Sequence, residues 1–398
     1  MKRKSEDNGR PEKRMKAEED KGGSSSSDMF ASSSESEGAG EEEKKGGERL
    51  DASWLDTWDD VEGHYKVIVG ELMEGRYLVK TTLGKGMFAT VIRAEDKKPD
   101  SEGQQLVAIK IIRNNETMRR AAQKEAGVLE RLNEAGKKGI VRLLRTFEHK
   151  DHMCLVFENL GSNLRDVVKK YGRENGLNIK AVRVYTRQLL IGLSLLRKCG
   201  YVHADVKPDN ILVNEANTMA KIADLGSAMP IDEVEETPYL VSRFYRAPEI
   251  ILGVKHDYAV DMWSLACSLY EIYTGKVLFP GRTNNDMIRL IMGCRGKFSH
   301  KLLRRGRFTN EHFDPVHLDF QSLVEDAVTG RTLMKTTKHV GPDPASTLKG
   351  RLKGLEGEAG PDAVSLDNFI DLLDRMLMLN PDKRITPEDS LNHPFVKD

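Results

Sequence analysis

The chain has 398 residues, of which 39% are hydrophobic and 31% are charged, so it can form two modest domains plus a polar tail. Lys+Arg and Asp+Glu both total 62, and this even balance predicts neither nucleic-acid binding nor membrane binding. The most apolar run, residues 189–196, is too short to span a bilayer. The four cysteines lack the spacing of a metal site or a redox pair, which predicts free thiols in a reducing compartment.

Residues 1–55 are rich in Ser, Gly and Glu and poor in aromatic residues, which predicts a disordered, low-complexity tail. Two basic clusters, at residues 2–4 and 13–16, have the arrangement of a bipartite nuclear localisation signal and predict a nuclear protein. The alternative is a basic tail that is only solvated. Order is expected to begin near Trp54 and Trp58.

A glycine-rich stretch follows between two strand-like segments at residues 77–83 and 91–94. Glycines allow a turn to bring backbone N–H groups against phosphate oxygens, because no Cβ atom stands in the way. We therefore predict that the stretch binds ATP, with an ordinary hairpin loop as the alternative; Ala89 replaces the third glycine of the Gly-x-Gly-x-x-Gly pattern. The predicted ATP-binding residues here are Leu83, Gly84, Lys85, Gly86, Met87, Phe88, Ala89, Thr90 and Val91.

The apolar strand at residues 107–112 carries a single lysine, Lys110. Such a lysine often reaches solvent from an edge strand. The spacing of Lys110 from the glycine-rich stretch along the chain, however, suits contact with the α- and β-phosphates of ATP. The next segment, residues 118–132, has helical spacing, with Ala121 among its apolar positions and Glu125 inside. A buried cation needs a partner of opposite charge, so Glu125 is predicted to pair with Lys110 rather than to lie on an exposed helix face.

A further strand, at residues 153–157, leads into the predicted adenine-binding segment. Backbone groups around Glu158 and Leu160 are placed to hydrogen-bond adenine, and the bulky Phe157 closes the pocket behind it. A buried helix predicted at residues 179–196 then delivers the next polar loop.

That loop, residues 203–210, contains the residue types that phosphoryl transfer requires. Asp205 is the candidate base that orients the attacking hydroxyl and accepts its proton, and Lys207 can neutralise charge on the moving phosphoryl group. Asn210 and, further on, Asp224 supply the oxygen atoms that Mg²⁺ prefers. The sequence therefore predicts an ATP- and Mg²⁺-dependent phosphotransferase.

The order of these motifs, followed by Ala247-Pro248-Glu249, resembles that of eukaryotic protein kinases. The resemblance implies a bilobal α+β fold over residues 56–398. A small antiparallel β-sheet lobe with one main helix would span about residues 56–157, and a larger, mostly helical lobe about residues 161–398. It also implies that Asp261 braces the catalytic loop and that Arg384 pairs with Glu249. Ala108 and Leu212 join the expected ATP-binding residues on the same ground.

Residues 237–246 resemble the activation segment of the CMGC group of kinases. Together with residues 58–65, 203–215 and 273–287, they are most similar to the family of the pre-mRNA-processing-factor-four kinase. This resemblance implies a nuclear serine/threonine kinase whose protein substrates are components of the spliceosomal tri-snRNP. The place of the group's insert, residues 282–362, is expected to be either a partner-docking element or a variable surface excursion.

Three alternatives to this reading stay open. A dual-specificity tyrosine-regulated or Cdc-like kinase shares the sequence around Tyr239. A pseudokinase scaffold would commonly lack the equivalents of Lys110, Asp205 or Asp224, all of which are present. A small-molecule phosphotransferase would not need the long activation segment, which is a peptide-docking surface.

The catalytic loop departs from the kinase pattern at Ala204, which replaces the arginine that normally couples an activation-loop phosphate to the catalytic aspartate. We therefore predict that a phosphate on Tyr239 pairs instead with Arg243 and Arg246, through charge-assisted hydrogen bonds. The alternative is an unmodified loop tyrosine. Arg246 also resembles the arrangement that favours proline after the phosphoacceptor, which predicts a Ser/Thr-Pro bias.

Overall fold

The structure, a computed structural model, describes residues 58–99, 105–136, 138–172, 175–234, 237–325, 332–337, 342–353 and 361–397. The tail predicted at residues 1–55 lies outside these ranges. Of the cysteines, all are free thiols; Cys199 is partly buried and the other three are buried.

Six strands form the first part of the described chain: β1 (Leu72–Met73), β2 (Tyr77–Lys85), β3 (Ala89–Asp96), β4 (Leu106–Ile112), β5 (Leu143–His149) and β6 (His152–Glu158). They make one antiparallel sheet in the order β1-β2-β3-β4-β6-β5. One long helix, α1 (Glu116–Ala135), packs against it. Asn115 caps this helix, because its side-chain oxygen accepts the N–H of Met118 at 3.2 Å.

The alternation of strand β4 decides which of its residues enter the candidate site. Val107, Ile109 and Ile111 are buried on one face, where they join the hydrophobic cluster under the sheet. Successive side chains of a strand point to opposite faces. Ala108 and Lys110 therefore lie on the other face, which α1 and the second part of the chain cover.

The second part of the chain is mostly helical and is built around one helix. Its helices are α2 (Leu164–Val167), α3 (Ile179–Lys198), α4 (Pro248–Leu252), α5 (Ala259–Thr274), α6 (Asn284–Arg295), α7 (His300–Leu303), α8 (Leu348–Lys353), α9 (Pro361–Met376), α10 (Pro387–Ser390) and α11 (Pro394–Lys397). Helix α5 has 14 of its 16 residues buried, so it forms the centre of this part. None of the helices in the described ranges is long and apolar enough to cross a membrane.

Short strand pairs hold the loops between these helices. Strand β7 (Tyr201–Val202) pairs with β10 (Met229–Pro230), and β8 (Ile211–Val213) pairs with β9 (Ala220–Ile222). The loop that carries Asp205 connects β7 to β8, and the loop that carries Asp224 connects β9 to β10. Each loop is therefore held at both ends by a strand pair. The sheet with its one main helix and the helical second part confirm the predicted α+β protein-kinase fold.

Two details differ from what the sequence pattern predicted. Helix α1 is longer at both ends, and its buried face includes Ala122, whereas Ala121 is exposed. Residues 340–361 have no helical periodicity in the sequence, yet helix α8 lies among them, with Leu348 and Leu352 almost fully buried. The pattern missed this helix because its single turn and a half is too short to show a helical repeat.

The same insert contains a hairpin of β11 (Phe320–Glu325) and β12 (Thr332–Thr337). Helix α8 is fixed by Arg351, whose Nη1 donates to the Leu278 carbonyl at 2.9 Å. Helix α8 is therefore packed against the helical part of the chain.

The pairing expected between Arg384 and Glu249 is present and fully buried. Arg384 Nη1 lies 2.5 Å from Glu249 Oε1, Nη2 lies 3.0 Å from Oε2, and both side chains have an exposed fraction of 0%. A bidentate pair of this kind satisfies both charges in the interior. It connects the start of α4, beside the activation segment, to the loop after α9.

Replacement of Arg384 by methionine would leave the Glu249 carboxylate buried without a counter-charge. We expect Arg384→Met to lower the free energy of unfolding by about 3–5 kcal/mol, measured by urea denaturation. The control is Arg375→Met, which breaks a surface pair with Asp371 and should cost less than about 1 kcal/mol. Equal losses in the two variants would contradict a stabilising role for the buried pair.

Candidate active site

Helix α5 holds the loop between β7 and β8 through hydrogen bonds to its backbone. Asp261, near the start of that helix, accepts the N–H of His203 at 2.8 Å and the N–H of Ala204 at 3.0 Å. Ala204 has a left-handed backbone, with φ of 63°, so the turn is one that few non-glycine residues adopt. His203 is buried and contacts the Ala223 carbonyl, as expected of a packing residue rather than a catalyst.

The carboxylate of Asp205 is fixed by neighbours on both of its oxygens. Lys207 Nζ lies 2.8 Å from Asp205 Oδ2, and Asn210 Nδ2 donates to the same oxygen at 2.9 Å. The Ser242 hydroxyl donates to Asp205 Oδ1 at 2.7 Å and accepts from Lys207 Nζ at 3.0 Å. The structure therefore brings Asp205, Lys207 and Asn210 together.

Ser242 was missed by the sequence reasoning, although it contacts both candidate catalytic residues. It lies 37 residues after Asp205 in the chain, within the activation segment. A serine in a polar segment has no distinguishing pattern. Only the fold, which returns the activation segment to the catalytic loop, identifies it.

The second cluster joins the sheet to the loop after β9. Lys110 Nζ lies 2.8 Å from Glu125 Oε2 and 3.5 Å from Asp224 Oδ1. Burial opposes the charge of the ammonium group, but the attraction of the Glu125 and Asp224 carboxylates outweighs it and raises the pKa of Lys110. Partial desolvation would raise the pKa of Asp224, but Lys110, with His203 and Lys207, lowers it below its ordinary value. Both groups are therefore charged at neutral pH.

The oxygens of Asp224 and Asn210 fit a Mg²⁺ ion that also binds phosphates. The Asp224 side chain is 54% exposed, and its backbone is left-handed, with φ of 56°. Asn210 uses its amide nitrogen on Asp205, which leaves its amide oxygen for a cation. No cluster of three or more His, Cys, Asp or Glu side chains in the described ranges could hold a metal by itself. Mg²⁺ usually binds through one or two protein carboxylates plus substrate phosphates, which agrees with this donor set.

Ala108 and Leu212, both predicted ATP-binding residues, lie in two strand pairs that meet at the end of β6. Ala108 pairs with Phe157 across β4 and β6, and Leu212 pairs with Lys221 across β8 and β9. Lys221 Nζ in turn lies 2.6 Å from Glu158 Oε1, and both side chains are largely buried. This segment therefore connects the sheet to the helical part.

Glu158 was predicted to act through its backbone, and its side chain has a separate use. Its Oε1 accepts both Lys221 Nζ and the Arg142 N–H, at 2.6 Å and 2.7 Å. Leu160 is 4% exposed and belongs to the core. Lys221 was not singled out from the sequence. Unlike Lys110, it does not follow a glycine-rich stretch, and a lysine in a three-residue strand is ordinarily expected at the surface.

The glycine-rich stretch forms the turn between β2 and β3. Gly84 pairs with Val91 and Lys85 with Thr90, and the Gly86 N–H donates to the Ala89 carbonyl at 2.9 Å. The apolar side chains at the tip are exposed, whereas two residues at the start of β3 are buried. Exposed are Leu83, Met87 and Phe88; buried are Ala89 and Thr90.

The activation segment is organised by Arg246. Its guanidinium donates to the carbonyls of Leu240 and Val241 at 2.9 Å and to that of Tyr239 at 3.2 Å. Val241 is left-handed, with φ of 68°. Arg243, by contrast, is exposed and donates to the Arg282 carbonyl at 2.7 Å.

Comparison with known proteins agrees with this geometry. Residues 77–396 match the protein kinase domain. The chain is 49% identical over 350 residues to the serine/threonine-protein kinase prp4 of Schizosaccharomyces pombe, covering 87% of this chain and 72% of that protein. It is 42% identical over 365 residues to the serine/threonine-protein kinase prpf4B of Dictyostelium discoideum, covering 88% and 44%.

A more distant relative is homeodomain-interacting protein kinase 2 of Mesocricetus auratus, 36% identical over 354 residues. The chain spans 30% of the length of that protein and 44% of the Dictyostelium relative. The chain therefore belongs to the protein kinase family, as a serine/threonine kinase similar to prp4.

Proposed function

We propose that the chain transfers the terminal phosphoryl group of ATP to serine and threonine hydroxyls of proteins, with Mg²⁺ as cofactor. The observation that carries this proposal is the contact of Lys110 with Asp224, because it joins a sheet residue to the loop after β9 beside Asp205 and Asn210. Mg²⁺, when bound, neutralises charge on the phosphates. Asp224 and Asn210 would hold it.

The residues of the chain divide the remaining work. Asp205 orients the attacking hydroxyl and takes up its proton, while Lys207, 2.8 Å away, faces the same point with a positive charge. Glu125 holds Lys110 in its charged state, in which it would bind phosphate oxygens. Catalysis then comes mainly from positioning and from charge neutralisation.

Removal of the proposed base is the direct test. Asp205→Asn keeps the size of the side chain but lowers its basicity, so kcat for a protein substrate should fall by about 10²–10⁴-fold. Asp232→Asn, at an exposed aspartate, is the control and should leave kcat unchanged. An inactive wild-type protein would instead support the pseudokinase scaffold.

We further propose that the substrates are components of the spliceosomal tri-snRNP and that the protein acts in the nucleus. The similarity to prp4 and the basic clusters at residues 2–4 and 13–16 support this. Labelling of a splicing extract by wild type but not by Asp205→Asn would identify the substrates. Labelled proteins from outside the splicing machinery would favour a dual-specificity tyrosine-regulated or Cdc-like kinase.

A preference for proline after the phosphoacceptor follows from Arg246. The Val241 carbonyl accepts Arg246 Nη2 at 2.9 Å and Nε at 3.2 Å, so it does not face a substrate N–H. A substrate N–H left without an acceptor costs about 1–3 kcal/mol. Proline has no N–H and escapes this cost.

A peptide library should therefore show about tenfold enrichment of proline at this position. Arg246→Lys should reduce the enrichment, because lysine lacks the planar fork that engages several carbonyls. Arg243→Lys, in the same segment, is the matched control, since Arg243 bonds the Arg282 carbonyl and not Val241. No enrichment in the wild type would contradict the proposal.

We also propose that Tyr239 is phosphorylated in the active protein. Its side chain is 76% exposed, and the Arg246 guanidinium lies 5.9 Å from its ring centroid. Arg246 already donates to three backbone carbonyls, so the exposed Arg243 would supply most of the new hydrogen bonds. These bonds would order the segment that Ala204 cannot hold.

Tyr239→Phe should lower kcat about tenfold, since a charge-assisted hydrogen bond contributes about 1.5–3 kcal/mol. Tyr171→Phe, at another exposed tyrosine, is the control. Mass spectrometry of the active wild type should show phosphate on Tyr239. A fully active protein with Tyr239 wholly unmodified would remove the proposal.

A further inference from the structure

Residues 58–66 form a compact turn that precedes the part of the chain matched by the kinase domain, which begins at residue 77. We propose that this turn, here named the N-terminal clamp, positions the glycine-rich loop over the nucleotide through an ion pair between Asp60 and Lys85. The proposal rests on the proposed function and on the predicted contact of the glycine-rich loop with ATP.

The clamp is rigid by its own hydrogen bonds. The Lys66 N–H donates to the Trp58 carbonyl and the Asp60 N–H to the His64 carbonyl, both at 2.8 Å. Asp60 Oδ1 accepts the N–H groups of Glu62 and His64, both at 2.9 Å. The Asp60 side chain is therefore fixed in direction before it meets the loop.

The clamp is also anchored to the sheet. Asp59 contacts His152 Nε2 at 2.6 Å and accepts from Asn114 Nδ2 at 3.0 Å. The Asn114 N–H donates to the Gly63 carbonyl at 2.8 Å, and the Lys150 ammonium lies 3.2 Å from the Trp58 ring centroid. These contacts reach the ends of β4 and β6, which do not belong to the glycine-rich loop.

From this fixed base the clamp contacts one side of the loop tip directly and the other side through Arg113. Asp60 Oδ2 lies 2.7 Å from Lys85 Nζ, just before Gly86. Arg113, which donates its side chain to the Glu62 carbonyl, also donates its N–H to the Phe88 carbonyl at 3.0 Å, just after Gly86. The hydrogen bond from Lys85 holds the pKa of Asp60 well below its ordinary value.

The Asp60–Lys85 pair is partly exposed, with side-chain exposed fractions of 29% and 50%, so its effect is modest. A modest pair suits a loop that must open for nucleotide exchange. Loss of the pair should let the loop move more freely and weaken ATP binding. The chemistry at Asp205 should not change.

Asp60→Asn tests this directly, because asparagine keeps a side-chain oxygen for the N–H groups of Glu62 and His64. We expect KM for ATP to rise about two- to fivefold with kcat unchanged, the range for an exposed ion pair. Hydrogen–deuterium exchange of the amides at residues 84–90 should become faster, with an unchanged melting temperature. Glu116→Gln, which breaks the surface pair with Arg120 on α1, is the matched control and should change neither measurement.

A double-mutant cycle separates the pair from general loosening. Lys85→Gln should raise KM as Asp60→Asn does, and the double variant should be no worse than either single one. Additive effects, or a wild-type KM in Asp60→Asn, would overturn the proposal. Lys110→Met distinguishes a failure of the proposed function from a failure of the clamp proposal. If Lys110→Met keeps ATP-dependent activity, the proposed function is wrong. If it loses activity while Asp60→Asn has the wild-type KM for ATP, only the clamp proposal is wrong.

Discussion

The active site depends on the buried carboxylate of Asp261. It accepts two consecutive backbone N–H groups, those of His203 and Ala204, and so fixes a turn with a left-handed residue directly before Asp205. Burial raises the pKa of Asp261 although these two bonds favour its charged form. A buried acceptor with two donors is costly to break, so the position of the catalytic loop follows from the central helix α5.

From this fixed point, the site is assembled by charged and polar side chains that come from separate elements. Asp205 is held by Lys207 and Asn210 from its own loop and by Ser242 from the activation segment. Ala204 has no donor group that could bind a phosphate, whereas Ser242 of the activation segment contacts Asp205 directly. The order of that segment depends on Arg246, which gathers carbonyls at its turn.

Near the predicted nucleotide-binding residues, ion pairs also connect the sheet to the helical part. Lys110 meets Asp224, and Lys221 meets Glu158 where the two parts of the chain join. The N-terminal clamp adds a third contact, between Asp60 and Lys85 of the glycine-rich stretch. The Asp60–Lys85 pair is partly exposed and contributes little stability, so it leaves the glycine-rich loop able to open.

The sequence by itself determined the fold class, through the resemblance of its ordered motifs to those of protein kinases. It also determined the order of the candidate catalytic residues and the pairing of Lys110 with Glu125. A glycine-rich turn, a lone lysine in an apolar strand and a helix with 3.6-residue spacing are all visible along the chain. Helix α3 was predicted from residue 179, where it begins.

Only the tertiary structure revealed the contacts of Ser242 and Lys221, the contacts of Asp59 and Asp60 in the clamp, and the existence of helix α8. The partner of Ser242 lies 37 positions away in the chain, and that of Lys221 lies 63 positions away. The partners of Asp60 and Asp59 lie 25 and 93 positions away. A single serine, lysine or aspartate carries no periodic signal, so its partner is fixed by how the chain returns on itself. Hydrogen bonds and ion pairs depend on distances in space, and a linear sequence does not contain those distances.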